Sequence, residues 1–214
     1  MKVIDLTHTI KEGMLVYPGT DGPVIREACT LEKDGFRETL LSIFSHVGTH
    51  IDAPYHLFQK GASLDSLAPS YFIGKALVID CRALGDGESI GMAQLEPYRE
   101  HLDKVDFLLF CTGYDRRFGD ASYFGNFPCL DDEVLDFVLK GNYKGIGSDT
   151  MSMDPMSDAE LVRHRRFLGA KTVINIENLK DLALCGNEPF LFACLPLKYA
   201  NADGAPARAV AYLE

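Results

Sequence analysis

The sequence predicts an α/β protein with a mixed sheet, and three observations carry that prediction. Short apolar runs of strand length recur along the chain, segments with helical apolar spacing fall between several of them, and both ends are strand-rich. The chain has 214 residues, 47% hydrophobic and 24% charged, enough to bury a core without disulfide staples. With no repeat, linker or low-complexity tract to divide it, one domain over residues 1–214 is expected.

Taken in order, Val3 to Leu6 reads as a short strand, followed by a loop rich in turn formers around Gly13, Pro18, Gly19, Gly22 and Pro23. Phe36 to His46 is extended and apolar enough for a long strand that runs into a histidine-rich stretch. Lys75 to Cys81 and Asp106 to Cys111 suit buried strands, with an amphipathic helix near Met92 to Leu102 between them. Leu130 to Leu139 forms a second helix, with Leu130, Val134, Phe137 and Val138 on one face. Gly145 to Asp149 is a short strand, and Ser157-Asp158-Ala159-Glu160 has the form of a capping box that starts a third helix. Thr172 to Ile176, Phe190 to Leu195 and Ala207 to Ala211 complete the strands.

Acidic residues outnumber basic ones 31 to 21, and the formal charge of -10 repels phosphate backbones, so nucleic acid is not an expected partner. The nearest approach to a basic cluster, Arg163 to Arg166, reads as the solvated side of a helix. The six cysteines form no CxxC pair and several sit inside apolar runs, which points to buried thiols in a reducing compartment. The first residues have acid and polar groups where a signal peptide would be apolar, and no run reaches the length of a membrane span. A cytoplasmic protein with no membrane association is the expectation.

The informative stretch is His46-Val47-Gly48-Thr49-His50-Ile51-Asp52-Ala53-Pro54-Tyr55-His56, which holds three of the six histidines and a carboxylate. His46, His50, Asp52 and His56 occupy even positions, and extended backbone sends alternate side chains to one side. Gly48 permits a bend, and Pro54 ends ladder pairing before His56, which displaces the last histidine from the others. Two imidazoles and a carboxylate make a mixed first shell for Zn²⁺, Mn²⁺ or Fe²⁺ that can leave positions open. Such an ion makes water acidic near neutral pH and polarises a carbonyl, and a histidine that is not a ligand can move the proton. His56 is the candidate for that role. The alternative is a polar loop whose histidines cap turns, or a structural metal site without turnover. Structural sites usually close all four positions, often with cysteine, and no cysteine lies near this motif.

This stretch resembles the signature of the cyclase family of metal-dependent hydrolases, which includes bacterial kynurenine formamidases and isatin hydrolases. The likeness extends to Asp5-Leu6-Thr7-His8 and Tyr17-Pro18-Gly19, to Gly147-Ser148-Asp149-Thr150, and to Leu195-Pro196-Leu197-Lys198, Ala202-Asp203-Gly204 and Arg208-Ala209-Val210-Ala211. The resemblance implies that His46, His50 and Asp52 hold one metal and that His56 is the acid/base. It further implies that His164 and Glu177 complete the site, with Asp52 bridging to a second metal where two are bound. It implies a swivelling β/β/α type of fold and a homodimer or homotetramer.

Independently of the resemblance, the spacing of His164 with Leu161 and Leu168 puts it on the inward side of the third helix, where it could equally be a satisfied core histidine. Glu177 ends a buried strand, where an unpaired carboxylate is costly unless a cation or exposure relieves it. The expected reaction is hydrolysis of a C–N amide bond in a small molecule, with N-formylkynurenine as the candidate and a lactam hydrolase or a cyclase/dehydratase as rivals. Similar formamidases tend to carry Trp where this chain has Tyr17, and the chain contains no Trp, a departure that weighs on an indole-derived or anilide substrate and not on hydrolysis itself. Tyr17 and Phe44 are candidates to line an aryl pocket, and Zn²⁺ is the expected ion, one or two per chain.

Overall fold

The structure is a computed structural model that describes residues 2–213. Its strands are β1 (Lys2–Asp5), β2 (Val24–Cys29), β3 (Glu38–Ser42), β4 (His50–Asp52), β5 (Ile73–Asp80), β6 (Ser89–Ile90), β7 (Phe107–Cys111), β8 (Cys129–Leu130), β9 (Gly145–Ser148), β10 (Ile174–Glu177), β11 (Phe190–Pro196) and β12 (Gly204–Leu213). The helices are α1 (Leu31–Asp34), α2 (Met92–Leu95), α3 (Asp132–Lys140) and α4 (Val162–Ala170), joined by several short 3₁₀ turns.

Period-two patterning sorts the apolar side chains into two cores. Along β5 and β7, Ala76, Val78, Phe107 and Leu109 join one cluster, and Leu77, Ile79, Leu108 and Phe110 join the other. The first cluster also draws Ile51, Ile174, Ile176, Phe192 and Ala205 from other strands of the large sheet, so it fills the inside of a closing sheet. The second cluster lies outside that wall, where α3 buries Val134, Leu135 and Val138 and α4 buries Phe167 and Leu168. Each such buried aliphatic contributes about 1.5–3 kcal/mol, which outweighs the weak intrinsic stability of a short helix.

The sheet is mixed, as expected. β5, β7, β9 and β10 run parallel as neighbours, β11 pairs antiparallel with β5, and β12 pairs antiparallel with β11. The short β4 closes the ring: it lies antiparallel between β10 and the start of β12, with Asp52 opposite both Asn175 and Gly204. β1 runs along the far half of β12. The result is barrel-like, with α2, α3 and α4 on the side of the second cluster.

Several boundaries differ from the sequence reading. The expected long strand from Phe36 to His46 is only β3, which pairs with β2 in a hairpin and does not reach the histidines. The helix expected to Leu102 stops at Leu95 because Pro97 cannot donate to a helical ladder, and a 3₁₀ turn follows. Leu130 belongs to β8, and Asp131 caps α3 by accepting from Val134 N at 2.8 Å. The capping box at Ser157 does not start a helix. Leu161 sits in left-handed backbone at φ 53°, α4 begins at Val162, and Asp154 and Asp158 accept from the first amides. Among the described residues no helix is long and apolar enough to cross a membrane.

Candidate active site

The outer face of the β4–β10 seam carries the chemistry. Ile51, Ile174 and Ile176 point into the barrel, so His50, Asp52, Asn175 and Glu177 stand on the opposite face, His50 across from Glu177 and Asp52 across from Asn175. Asn175 Nδ2 donates to Asp52 Oδ2 at 2.9 Å and to Glu177 Oε1 at 2.8 Å, spacing the two carboxylates. His50 Nε2 lies 3.2 Å from Asp52 Oδ1 and 3.6 Å from Glu177 Oε2, while its Nδ1 is tied to the Gly48 carbonyl at 2.8 Å.

The even-numbered spacing aims only His50 and Asp52 by extended backbone. His46 arrives through a turn in which Gly48 has φ +61°, a conformation that favours glycine, and its Nδ1 reaches Asp52 Oδ1 at 2.7 Å. A Cβ at Gly204, across from Asp52 on β12, would stand 2.4 Å from His46 Cε1; this glycine keeps the space the imidazole occupies. His56 returns on the 3₁₀ turn Pro54–His56, its ring 4.1 Å from that of His46 and its Nδ1 3.9 Å from Asp203 Oδ2. His164 reaches in from α4, with Nε2 3.0 Å from Glu177 Oε1 and 3.4 Å from Asp52 Oδ2.

Two sets of three donors therefore lie side by side and share Asp52: His46, His50 and Asp52, and Asp52, His164 and Glu177. Each imidazole that points a nitrogen inward has its other nitrogen occupied: His46 by Asp203 at 2.9 Å, His50 by the Gly48 carbonyl and His164 by Asp154 at 2.7 Å. That outer-shell pattern orients metal-ligating histidines. Among the described residues no lysine or arginine nitrogen comes within ion-pair distance of Asp52, Glu177 or Asp203, so the groups able to carry positive charge that face these carboxylates are imidazoles, with the neutral Asn175 amide and Met153 N completing the hydrogen bonds of Asp52 and Glu177. The donor set fits a divalent cation.

The charges agree with this. Burial works against an ionised Asp52, but His50, His164 and His46 hold its carboxyl well below the usual range. Burial likewise opposes a charged His46, yet hydrogen bonds to Asp203 and Asp52 push it up to about 10. His164 rises for the same reason, through Asp154, Asp52 and Glu177. His56 differs: burial holds it below its ordinary value, which leaves a neutral imidazole beside the cluster.

The donors form the base of a cavity of about 360 Å³ also lined by Tyr17, Thr20, Met151 and Leu161. Of the two residues expected to line an aryl pocket, Tyr17 is there; Phe44 is 53% exposed and is not among the lining residues. His46, His50, Asp52, His56, His164 and Glu177 all come together. Asn175, Asp154 and Asp203 were given no role from the sequence. Asn175 was within reach of a period-two reading beside Glu177, whereas Asp203, though inside the Ala202-Asp203-Gly204 segment of the resemblance, lies 157 positions from His46, and nothing local ties the two.

Compared with known proteins, residues 4–155 match the Cyclase family, described as "Putative cyclase". The chain belongs to the Cyclase family. A kynurenine formamidase of Bacillus thuringiensis (strain Al Hakam) is 31% identical over 210 residues, covering 97% of this chain and 95% of that protein. One from Bacillus cytotoxicus is 32% identical over 212 residues, with the same coverage of both proteins. Among solved structures, isatin hydrolase A from Ralstonia solanacearum superposes with a TM-score of 0.88 at 25% identity, covering 100% of this chain and 92% of that one. A structure titled a predicted metal-dependent hydrolase from Bacillus stearothermophilus gives 0.76 at 25% identity, covering 98% and 97%. These relatives bear out an amide-hydrolysing enzyme of the cyclase family, and the mixed, barrel-like sheet is consistent with the fold of its solved neighbours.

Proposed function

We propose that residues 1–214 act as one domain that hydrolyses the C–N amide bond of a small molecule with a divalent metal, N-formylkynurenine being the first candidate and an isatin-type lactam the alternative. The observation that carries this reading is the pair of three-donor sets sharing Asp52 at the base of a cavity, with neutral His56 beside them. His46, His50 and Asp52 would hold one ion, and Asp52, His164 and Glu177 offer a second position. The mixed nitrogen and oxygen donors suit Zn²⁺, with Mn²⁺ as the alternative. When bound, such an ion supplies Lewis acidity, which polarises a carbonyl and makes water a nucleophile at neutral pH.

The chain's own residues do the rest. His56 is 27% exposed at its side chain, neutral and within reach of the cavity, so it can take a proton from the attacking water and return it to the departing nitrogen. Asp203 lies beside both His46 and His56 and limits how far either ring can turn. Tyr17, Met151 and Leu161 give the cavity apolar walls for an aryl group, and its volume suits a small molecule. The linear substrate draws support from the kynurenine formamidases and the cyclic one from isatin hydrolase A. All six cysteines are unpaired, which supports a reducing, cytoplasmic setting, and the charge of -10 argues against nucleic acid as a partner.

Metal analysis of the purified protein, paired with hydrolysis assays on N-formylkynurenine, isatin and formanilide before and after chelation, tests the proposal. Turnover of one of them that chelation abolishes and metal restores is expected. Stoichiometric metal without turnover of any amide would favour a metal-binding protein instead, and failure to take up any divalent ion would end the hydrolase reading.

A further inference from the structure

We propose that Asn178 is a positioning residue of the metal centre, one that acts through the Gly48 carbonyl to hold the His50 ring with its Nε2 turned inward. This deepens the proposed function, because it rests on the reading of His50 as a metal ligand.

The three imidazoles of the centre are not backed alike. Asp203 and Asp154 occupy the outer nitrogens of His46 and His164, and a carboxylate holds an imidazole N–H strongly. Behind His50 stands a backbone carbonyl instead, that of Gly48, 2.8 Å from Nδ1 and two residues back in the same turn. A glycine backbone rotates more freely than any other, so this acceptor is fixed only as well as the turn around it.

Asn178 fixes it from outside. Its side chain is buried, at 2% exposed, and its Nδ2 donates to the same Gly48 oxygen at 3.0 Å. That oxygen therefore accepts from Asn178 and His50 together, one for each lone pair. The amide cannot be reversed: a carbonyl only accepts, so Nδ2 must face Gly48, and Oδ1 then accepts from the Tyr123 hydroxyl at 2.8 Å. Tyr123 is itself fully buried and packs with Tyr114, Phe127 and Met151, which makes the anchor rigid. The backbone of Asn178 is tied as well. Its N–H donates to the Thr150 carbonyl at 2.9 Å, and its carbonyl accepts from Thr49 Oγ1 at 2.5 Å. Every polar group of the residue has a partner, and Gly48 and Thr49 both lie in the turn between His46 and His50.

These demands select the residue type. Position 178 has φ 54°, left-handed backbone that asparagine tolerates better than most side chains. The site also asks for a donor towards Gly48 and an acceptor towards Tyr123. Aspartate offers acceptors alone, and glycine suits the backbone but offers neither group. Asn178 directly follows Glu177, the last residue of β10, and Glu177 stands opposite His50 in the sheet. The residue thus joins the strand end that carries one donor to the turn that aims the other, and His50 Nε2 is left facing Asp52 Oδ1 and Glu177 Oε2.

Two measurements on the full chain test this. They use Asn178→Asp, which keeps the shape and the acceptor but loses the donor, and Asn178→Gly, which keeps the backbone and loses both. Nitrogen-15 NMR of histidine-labelled, metal-free protein reads the His50 Nδ1–H, assigned by its absence from His50→Ala. In the wild type that proton should exchange slowly with water, and in either variant at least about tenfold faster, the effect of one lost hydrogen bond. Chelator competition for Zn²⁺ reads the consequence. Either substitution should weaken zinc binding about 10- to 100-fold in a His164→Ala background, where His46, His50 and Asp52 remain. In a His50→Ala background, with no ring left to position, the further loss should stay within about twofold.

An unchanged Nδ1–H exchange rate overturns the proposal, as do equal losses of zinc affinity in the two backgrounds, which would make Asn178 a general structural support. Wild-type protein that takes up no Zn²⁺ would end the metal reading instead, and the exchange rate would still decide whether Asn178 holds the ring. Should both variants misfold, the wild type decides. Its Asn178 side-chain amide must exchange slowly and show a cross-relaxation peak to the His50 Nδ1–H, and an amide open to water overturns the assignment.

Discussion

The two halves of the candidate metal centre share Asp52 but are made differently. His46, His50 and Asp52 come from seven consecutive positions; His46 is 25% exposed at its side chain, and the Asp203 behind it is 38% exposed. The other half gathers Asp52, His164 and Glu177 from β4, α4 and β10, with exposures of 2%, 5% and 6%, and Asp154 behind His164 is 1% exposed. One half is encoded locally and stays close to solvent. The other is assembled by the fold and is dry, so its ligands are more tightly preset.

The largest expected effect comes from the shared residue. Asp52→Ala should lower kcat/KM more than about 10⁴-fold, beyond what loss of a proton-transfer residue costs, and weaken both metal positions. His164→Ala should weaken only one. Steady-state kinetics with metal titration checks this, and equal losses in the two variants would break the idea of a bridging carboxylate.

His56→Ala comes next: kcat should fall about 10²- to 10⁴-fold with metal content unchanged. Elemental analysis of the variant decides, since loss of the ion would make His56 a ligand rather than the acid/base. The outer carboxylates sharpen the comparison further. Asp154→Asn and Asp203→Asn should each weaken metal affinity about 10- to 100-fold in chelator competition, with the larger loss at buried Asp154.

A further contrast uses a carboxylate outside the centre. Asp149 is as buried as Asp52, yet its partners are the neutral donors Thr112 N, Thr112 Oγ1 and Gly113 N. Burial pushes it up to about 6 against those hydrogen bonds, while the imidazoles hold Asp52 down. A carboxyl raised from its ordinary 3.8 contributes stability that is fully present below that value and lost as pH rises through about 6. Between about pH 4 and pH 6 the wild type should therefore lose up to about 3 kcal/mol relative to Asp149→Asn, read by denaturant unfolding. Parallel curves for the two proteins would show that Asp149 is charged throughout.

Much of the fold was legible, because strands with alternating or continuous apolar residues announce themselves: β5, β7, β9 and β11 fall within a few residues of expectation. Of the hairpin only β3 was, as part of a longer expected strand. β2 hides among turn formers, and an arm without a core of its own leaves no one-sided pattern to read. In the site, the 46–56 segment was visible because its ligands are close in sequence. The roles of Asn175, Asp154 and Asp203 were not, even though Asp203 falls in a segment of the family resemblance, because these residues hold other side chains.

What the sequence determined by itself is the inventory: three histidines and a carboxylate in one short segment, an acidic chain, and apolar runs that must form a sheet. Only tertiary structure decided which face of β4 looks outward, that α4 delivers His164 to Glu177, and that Gly204 leaves room for His46. The physical reason is that local spacing aims side chains only along one extended segment. Bringing donors from separate strands and a helix within contact depends on how the barrel closes, and that closure is set by packing between distant parts of the chain.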